Sequence, residues 1–336
     1  MNRLMLLDCT LRDGGYVNDW MFGHDNIVGI VRGLEQSGVD IIELGFLRDY
    51  PYHPDSSNLP NVESADGLLE ERKENIVYSA MLEAFNPYPL DKICLFRGKG
   101  IDLIRVCIWK RCMAEHMSYC KAVRDKGYRI TIQPSRVEQY NDYEFVEMIK
   151  RSNELSPFAV YVVDTWGTQS HRQICHYLEL ADRYLDPGIK IGYHGHNNKL
   201  QALSCVQAAV EMKLNRELCV DSSVMGMGRG AGNLNTEIVM EYLNGLYQMQ
   251  YNYDSIIEVF NLFLSDAYHM SPWGYSMYYY LCAINNCNPN YATFFSEHSL
   301  GEKSFLNFLS TLTEKEKIVF DKELIASRVS TIELED

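Results

Sequence analysis

Positive charge is scarce in this chain: 31 lysines and arginines face 45 aspartates and glutamates, for a formal net charge of -14, and no basic patch offsets the deficit. Such a surface repels phosphate backbones and anionic lipid, so neither a nucleic acid nor a membrane is expected as a partner. Long apolar runs are missing as well. Nothing approaches the roughly 18 apolar residues of a membrane span, and the opening MNRLMLLDCT meets Asp8 too early for a signal peptide. The ten cysteines include no CxxC pair and no secreted-type framework, and Cys94, Cys107 and Cys219 fall inside apolar strand-like runs. Reduced thiols used for packing in a cytoplasmic protein are the expectation. What the chain does have is apolar material, 46% of 336 residues, enough for one large domain with a modest appendage.

Short apolar or β-branched runs followed by helical periodicity recur eight times, beginning near Leu4, Asp40, Asn75, Leu103, Arg129, Ala159, Lys190 and Leu218. Between the first two, Ile27, Val28, Ile30, Val31 and Leu34 share one helical face and Gly38 supplies a stop. Eight βα units over about 245 residues match the ~250 of a (β/α)8 TIM barrel better than an open doubly wound sheet. After Gly245 the pattern changes to SIIEVFNLFLSDAYHM, the aromatic run WGYSMYYYLCAI and EKSFLNFLSTLT, with no low-complexity linker. The expected organisation is a catalytic barrel over 1–245 and a helical C-terminal extension over 246–336, whose apolar residues pack on the barrel or a second subunit.

Chemistry in such a barrel sits where the strands end, so polar residues at C-terminal strand tips are the ones to collect. The first strand runs into Arg12-Asp13-Gly14-Gly15, a guanidinium and a carboxylate followed by glycines that allow close approach, which suits an oxyanion site beside a metal; alone, the pair reads more readily as a surface ion pair. The seventh ends in His194-Gly195-His196, whose imidazoles point to the same side of a strand and form a compact metal platform. Asp13 faces the same mouth, and two imidazoles with one carboxylate leave positions open for substrate oxygens. Glu43 interrupts the apolar IIELGF and needs a partner there, for which Arg12 is the nearest candidate. Asp164 and Thr165, at the sixth tip, read equally as substrate-side hydrogen-bonding groups and as barrel architecture. The glycine-rich stretch from Asp221 to Asn233 contains GMGRGA, which satisfies a dinucleotide pattern, but no further parallel strands follow to complete that fold. Its glycines and Arg229 suit an anion at the barrel mouth instead, and the Asn233 amide oxygen can reach a metal.

Together, LLDCTLRDGG, IIELGF, VVDTWG, YHGHNN and DSSVMGMGRGAGN resemble the DRE-TIM metallolyases of the HMGL-like superfamily, in order and across the whole barrel. The resemblance implies Asp13, His194 and His196 as ligands of one divalent ion with Asn233 beside it, Arg12 as the group that stabilises an enolate oxygen, and Glu43 as the third member of the Asp-Arg-Glu set. Two branches fit poorly. The acyl-CoA synthases commonly carry RDGEQ where this chain has Gly15-Tyr16, and the thiol-type lyases carry a cysteine in the eighth loop, where this chain has Arg229. The 4-hydroxy-2-oxovalerate aldolase branch fits better and implies a tyrosine from the C-terminal extension at the site, for which Tyr275 stands in about the matching place. That branch uses a histidine as base shortly after RDG. Tyr16 replaces it here, and a phenol with a reference pKa of ~10 is a poor base unless cations lower that value, whereas His24 could serve only if its loop folds back.

The expected activity is therefore that of a class II aldolase acting through a pyruvate-type enolate, with Mn²⁺, Mg²⁺ or Zn²⁺ as cofactor and a 2-oxo acid plus an aldehyde or ketone as substrates. A Claisen-type acyl-CoA and 2-oxo-acid synthase is the first alternative. A non-catalytic, metal-stabilised scaffold that binds an aldehyde dehydrogenase is the second. A homo-oligomer and a dehydrogenase partner are compatible with the aromatic tail.

Overall fold

The eight runs become the strands β1 (Leu4–Asp8), β2 (Ile41–Leu47), β3 (Val77–Glu83), β4 (Leu103–Ile108), β5 (Arg129–Pro134), β6 (Ala159–Asp164), β7 (Lys190–Gly195) and β8 (Leu218–Ser222) in the computed structural model, which describes residues 4–332. Each pairs in parallel with the next, and β8 returns to β1 in a register from Leu4 opposite Leu218 to Asp8 opposite Ser222, so the sheet closes into a (β/α)8 barrel. A two-residue strand, Asn58–Leu59, extends the pairing of β2.

Strand alternation separates two cores. Leu4 and Leu6 face the helical ring, while Met5, Leu7, Ile41, Leu103, Ala159, Tyr161 and Cys219 fill the barrel interior. Two residues further up their strands the interior turns polar, with Glu43, Arg105, Gln133 and Asp221 all buried. A charged layer thus lies directly beneath the catalytic mouth. The helix His24–Ser37 buries Ile27, Ile30, Val31 and Leu34, leaves Val28 at its edge, and ends at Gly38 in the left-handed region at φ 78°.

Beyond the helix Thr236–Tyr247 the chain folds back as Tyr253–Val259, a π-helical stretch Phe260–Leu264 and Ser265–Met270. Ile256, Val259 and Leu264 join the barrel's outer core. A separate cluster forms from Leu281 onward, where Tyr291, Phe295, Phe305, Phe308, Leu309 and Ile325 are gathered by five short helices between Met277 and Ile332. Trp273 Nε1 donates to Met225 O (2.9 Å) and Arg229 Nη2 donates to Asn290 Oδ1 (2.7 Å), which tie these helices to the loop after β8. Among the described residues no helix is long and apolar enough to cross a membrane, and all ten cysteines are free.

Candidate active site

A single helical turn, Thr10–Asp13, continues β1 and buries both Arg12 and Asp13. Across the mouth, the end of β7 presents His194 and His196 with ring centroids 5.0 Å apart. One ligand atom from each of Asp13, His194 and His196 lies within 4.8 Å of the others, and among the described residues this is the trio of His, Cys, Asp or Glu side chains that converges in this way. Each imidazole is oriented through its other nitrogen. His194 Nδ1 is held by Asp221 Oδ2 at 3.0 Å, and His196 Nδ1 by the Asp164 carbonyl at 3.2 Å, which leaves both Nε2 atoms for a metal. Asn233 Nδ2 donates to Asp13 Oδ2 (2.7 Å), and Gly228 has no side chain because a Cβ there would collide with that amide and with Asp13.

Four buried atoms in this space have no hydrogen-bond partner: His196 Nε2, Asn233 Oδ1, Arg12 Nη2 and Glu43 Oε1. Unsatisfied buried polar groups are costly, so their concentration at one place is the sign of an absent ligand. A carboxylate, two imidazoles and an amide oxygen form a mixed nitrogen and oxygen set that fits a divalent ion without selecting sharply among Mg²⁺, Mn²⁺ and Zn²⁺.

Arg12 Nε donates to Glu43 Oε2 (2.8 Å), as the sequence leads one to expect, and its Nη1 pairs with Asp13. Arg105 and Asp221 are absent from the sequence-based set. Arg105, wholly enclosed, donates from Nη1 to the same Glu43 oxygen (2.8 Å) and from Nη2 to Asp221. A continuous ladder of opposite charges therefore runs Asp13, Arg12, Glu43, Arg105, Asp221 and ends against the His194 ring. Burial raises the Asp13 carboxyl, but the Arg12 guanidinium and the two imidazoles hold it well below the usual range. Burial likewise works against Arg105 and His194 at Asp221, and those partners win, keeping it ionised. At His194, burial outweighs the Asp221 carboxylate and keeps the ring neutral, the form that ligates a metal.

Other expected residues are placed differently. Both Asp164 oxygens are taken by loop amides, Thr168 N–H (2.9 Å) and Gln169 N–H (3.0 Å), and Thr165 Oγ1 accepts from Arg136 N–H (2.8 Å). These two side chains hold loops, and Asp164 reaches the site only through its carbonyl. Tyr275 stands half exposed with Tyr280 as its ring neighbour. Tyr279, from the same aromatic run, meets Thr293 Oγ1 through its hydroxyl at 3.2 Å. His24 is exposed at a helix start and does not fold back. Tyr16 is at the mouth, its ring edge-on to Trp20 (4.7 Å) and Phe46 (6.3 Å), with Arg229 over its face (5.6 Å). Tyr16 as a residue is exposed, yet the packing around it raises its hydroxyl and Arg229 does not reverse this, so the phenol stays protonated, opposite to what a base requires.

A barrel that brings this trio, the Arg12–Glu43 pair and the Asp221–His194 support to one mouth defines a metal-dependent carbon–carbon lyase. A family model described as HMGL-like matches residues 108–263. Oxaloacetate decarboxylase of Mycobacterium tuberculosis is 26% identical over 71% of this chain and 69% of its own length. The 4-hydroxy-2-oxovalerate aldolase of Pseudoalteromonas translucida is 25% identical over 72% of this chain and 70% of its own length. In fold, the chain is similar to the N-terminal domain of a Bacteroides vulgatus protein described as an aldolase, with a TM-score of 0.75 at 21% identity, covering 90% of this chain and 99% of that one. The family-model match and these relatives together support a place in the HMGL-like, DRE-TIM superfamily, on its aldolase branch.

Proposed function

We propose that the protein is a class II aldolase that forms or cleaves the bond between the methyl carbon of a pyruvate-type 2-oxo acid and the carbonyl carbon of an aldehyde. The observation that carries this reading is the buried Asp13, His194 and His196 trio with Asn233 Oδ1 and Arg12 Nη2 unpartnered beside it. A divalent ion held there supplies Lewis acidity toward the carboxylate and keto oxygens of the 2-oxo acid.

The chain's own groups do the rest. Arg12, fixed by Glu43 and Asp13, directs its free Nη2 at the negative charge that develops on the keto oxygen. Arg105 and Asp221 keep His194 in one tautomer and orientation. In the condensation direction a methyl proton leaves to water, the enolate carbon attacks the aldehyde carbon, the carbonyl electron pair moves to the aldehyde oxygen, and the protonated Tyr16 hydroxyl donates to it and recovers its proton from water; cleavage runs the same relay backward, with water as the final proton acceptor. Trp20 and Phe46 stand edge-on beside Tyr16 and offer the aldehyde an aromatic wall. Lyases as relatives and the missing RDGEQ both disfavour the acyl-CoA synthase alternative.

Proton exchange at the pyruvate methyl group, followed by NMR in deuterium oxide, tests this reading without knowledge of the aldehyde. Exchange is expected from protein restored with Mn²⁺, Mg²⁺ or Zn²⁺, and not from metal-free protein or His194→Ala. Absence of exchange with every metal overturns pyruvate as the donor.

A further inference from the structure

Within a chain of net charge -14, the outer mouth is unexpectedly cationic. Tyr16, Trp20 and Phe46 form an aromatic trio with centroids 4.7 to 6.3 Å apart, and three guanidiniums surround it. Arg12 lies 5.7 Å from the Phe46 ring, Arg48 lies over both Phe46 (4.0 Å) and Trp20 (4.2 Å), and Arg229 lies over Tyr16 (5.6 Å). Arg12 is paired with two carboxylates within the charged ladder, through Nε and Nη1, but the outer two are not. The Arg48 side chain is 14% accessible, and its nearest carboxylate, Glu83, is 3.9 Å away, beyond hydrogen-bond reach. Arg229 donates to the neutral Asn290 and, among the described residues, forms no ion pair. Burial pushes the Glu83 carboxyl up against the pull of Arg48, Arg12 and Arg229. Arg48 follows β2 and Arg229 lies in the loop after β8, so the two flank Tyr16, which follows β1, from its two neighbouring strands. Arg229 lies over the Tyr16 ring, and Arg48 lies over the Trp20 and Phe46 rings that meet it, so both stand beside the residue read above as proton donor to the aldehyde oxygen.

We infer that Arg48 and Arg229 receive an anionic terminus, carboxylate or phosphate, on the aldehyde fragment, so that the substrate carries a negative charge at both ends. This rests on the aldolase reading above and names the class of its second substrate. Stacked guanidiniums are held in place and retain free donors for bidentate contact with such a group.

The test uses the full-length, Mn²⁺-loaded protein with pyruvate as donor and pairs of aldehydes alike except for charge: succinic semialdehyde against butanal, and glyceraldehyde 3-phosphate against glyceraldehyde. At least one anionic member is expected to exceed its neutral counterpart in kcat/KM by about tenfold or more, as suits a charge-assisted hydrogen bond. The preferred pair distinguishes carboxylate from phosphate. Arg48→Met and, separately, Arg229→Met should each shrink that ratio, whereas a strut holding the C-terminal helices would lower both members equally. Equal use of charged and neutral aldehydes, with pyruvate exchange intact, overturns the inference alone. Loss of exchange in the wild-type protein overturns the aldolase reading and this inference with it.

Discussion

Asp221 touches His194 through Nδ1 and Arg105 through a second contact on the same oxygen, so one carboxylate sets both the tautomer of a metal ligand and the end of the buried charge ladder. Asp221→Asn keeps the shape but cannot accept as strongly from the ring N–H. Mn²⁺ affinity is expected to fall about 10- to 100-fold, measured by calorimetric titration. An unchanged affinity would show that His194 is oriented by packing alone. Asp13, His194 and His196 are legible in the sequence because each lies in a short local pattern, RD or HxH, at a strand tip. Arg105 and Asp221 are less so. Arg105 sits inside LIRVCI with the same signature that exposes Glu43 in IIELGF, a charge interrupting an apolar run, and only closure of the barrel shows that the two meet. For Tyr16 the sequence gives the residue but not the balance between burial and Arg229, which decides whether it holds its proton.

At the level of elements, a knot of hydrogen bonds at the mouth joins β1, β8 and the following helix. Asp8, buried at the end of β1, accepts from Thr236 Oγ1 (2.7 Å) and Thr10 N–H (2.9 Å), and Thr236 also meets Ser222 Oγ at the end of β8 (2.8 Å). Burial lifts the Asp8 carboxyl from 3.8 to about 6 in spite of these donors. The folded state therefore holds this proton more tightly than the unfolded chain, so stability from this group declines as pH rises from about 4 to about 6 and stays reduced above that. The difference corresponds to about 3 kcal/mol. Asp8→Asn removes the titration, so urea unfolding of metal-free protein should show the variant gaining on wild type from pH 4 to pH 7. A difference that is flat or runs the other way would mean that the hydrogen bonds dominate burial. The strands themselves are readable from sequence, all eight beginning within two residues of the expected positions, because burial on both faces demands continuous apolar runs. The π-helical stretch Phe260–Leu264 and the break at 271–276 ahead of the helix Met277–Ile284 are not. Both follow from how the tail meets the barrel, not from a repeat along the chain.

For the whole molecule, the change of pattern near Gly245 and the change of core fall at different places. The helix Tyr253–Val259 and the π-helical stretch press on the helix His24–Ser37, where Phe263 covers Gly29 and Val259 covers Gly33 so closely that neither glycine has room for a side chain. Ile256, Val259 and Leu264 are buried in the barrel's core, whereas the buried apolar residues from Leu281 to Ile325 pack among themselves. Periodicity along the chain marks where helices begin, but not which core they join. We place the structural boundary between Trp273 and Leu281, and two truncations test it. A chain ending at residue 274 keeps the barrel core and the Trp273 bond to the loop after β8. It should unfold cooperatively and gain about 2.7 kcal/mol from a metal concentration of about 100 times Kd. A chain ending at residue 245 strips three buried aliphatic side chains from the barrel, worth about 1.5 to 3 kcal/mol each, which takes most of the margin of a typical domain. It should be insoluble or unfold without a metal response. If both truncations behave alike, the two cores depend on each other, and the bond between Arg229 and Asn290 becomes part of what holds the barrel together.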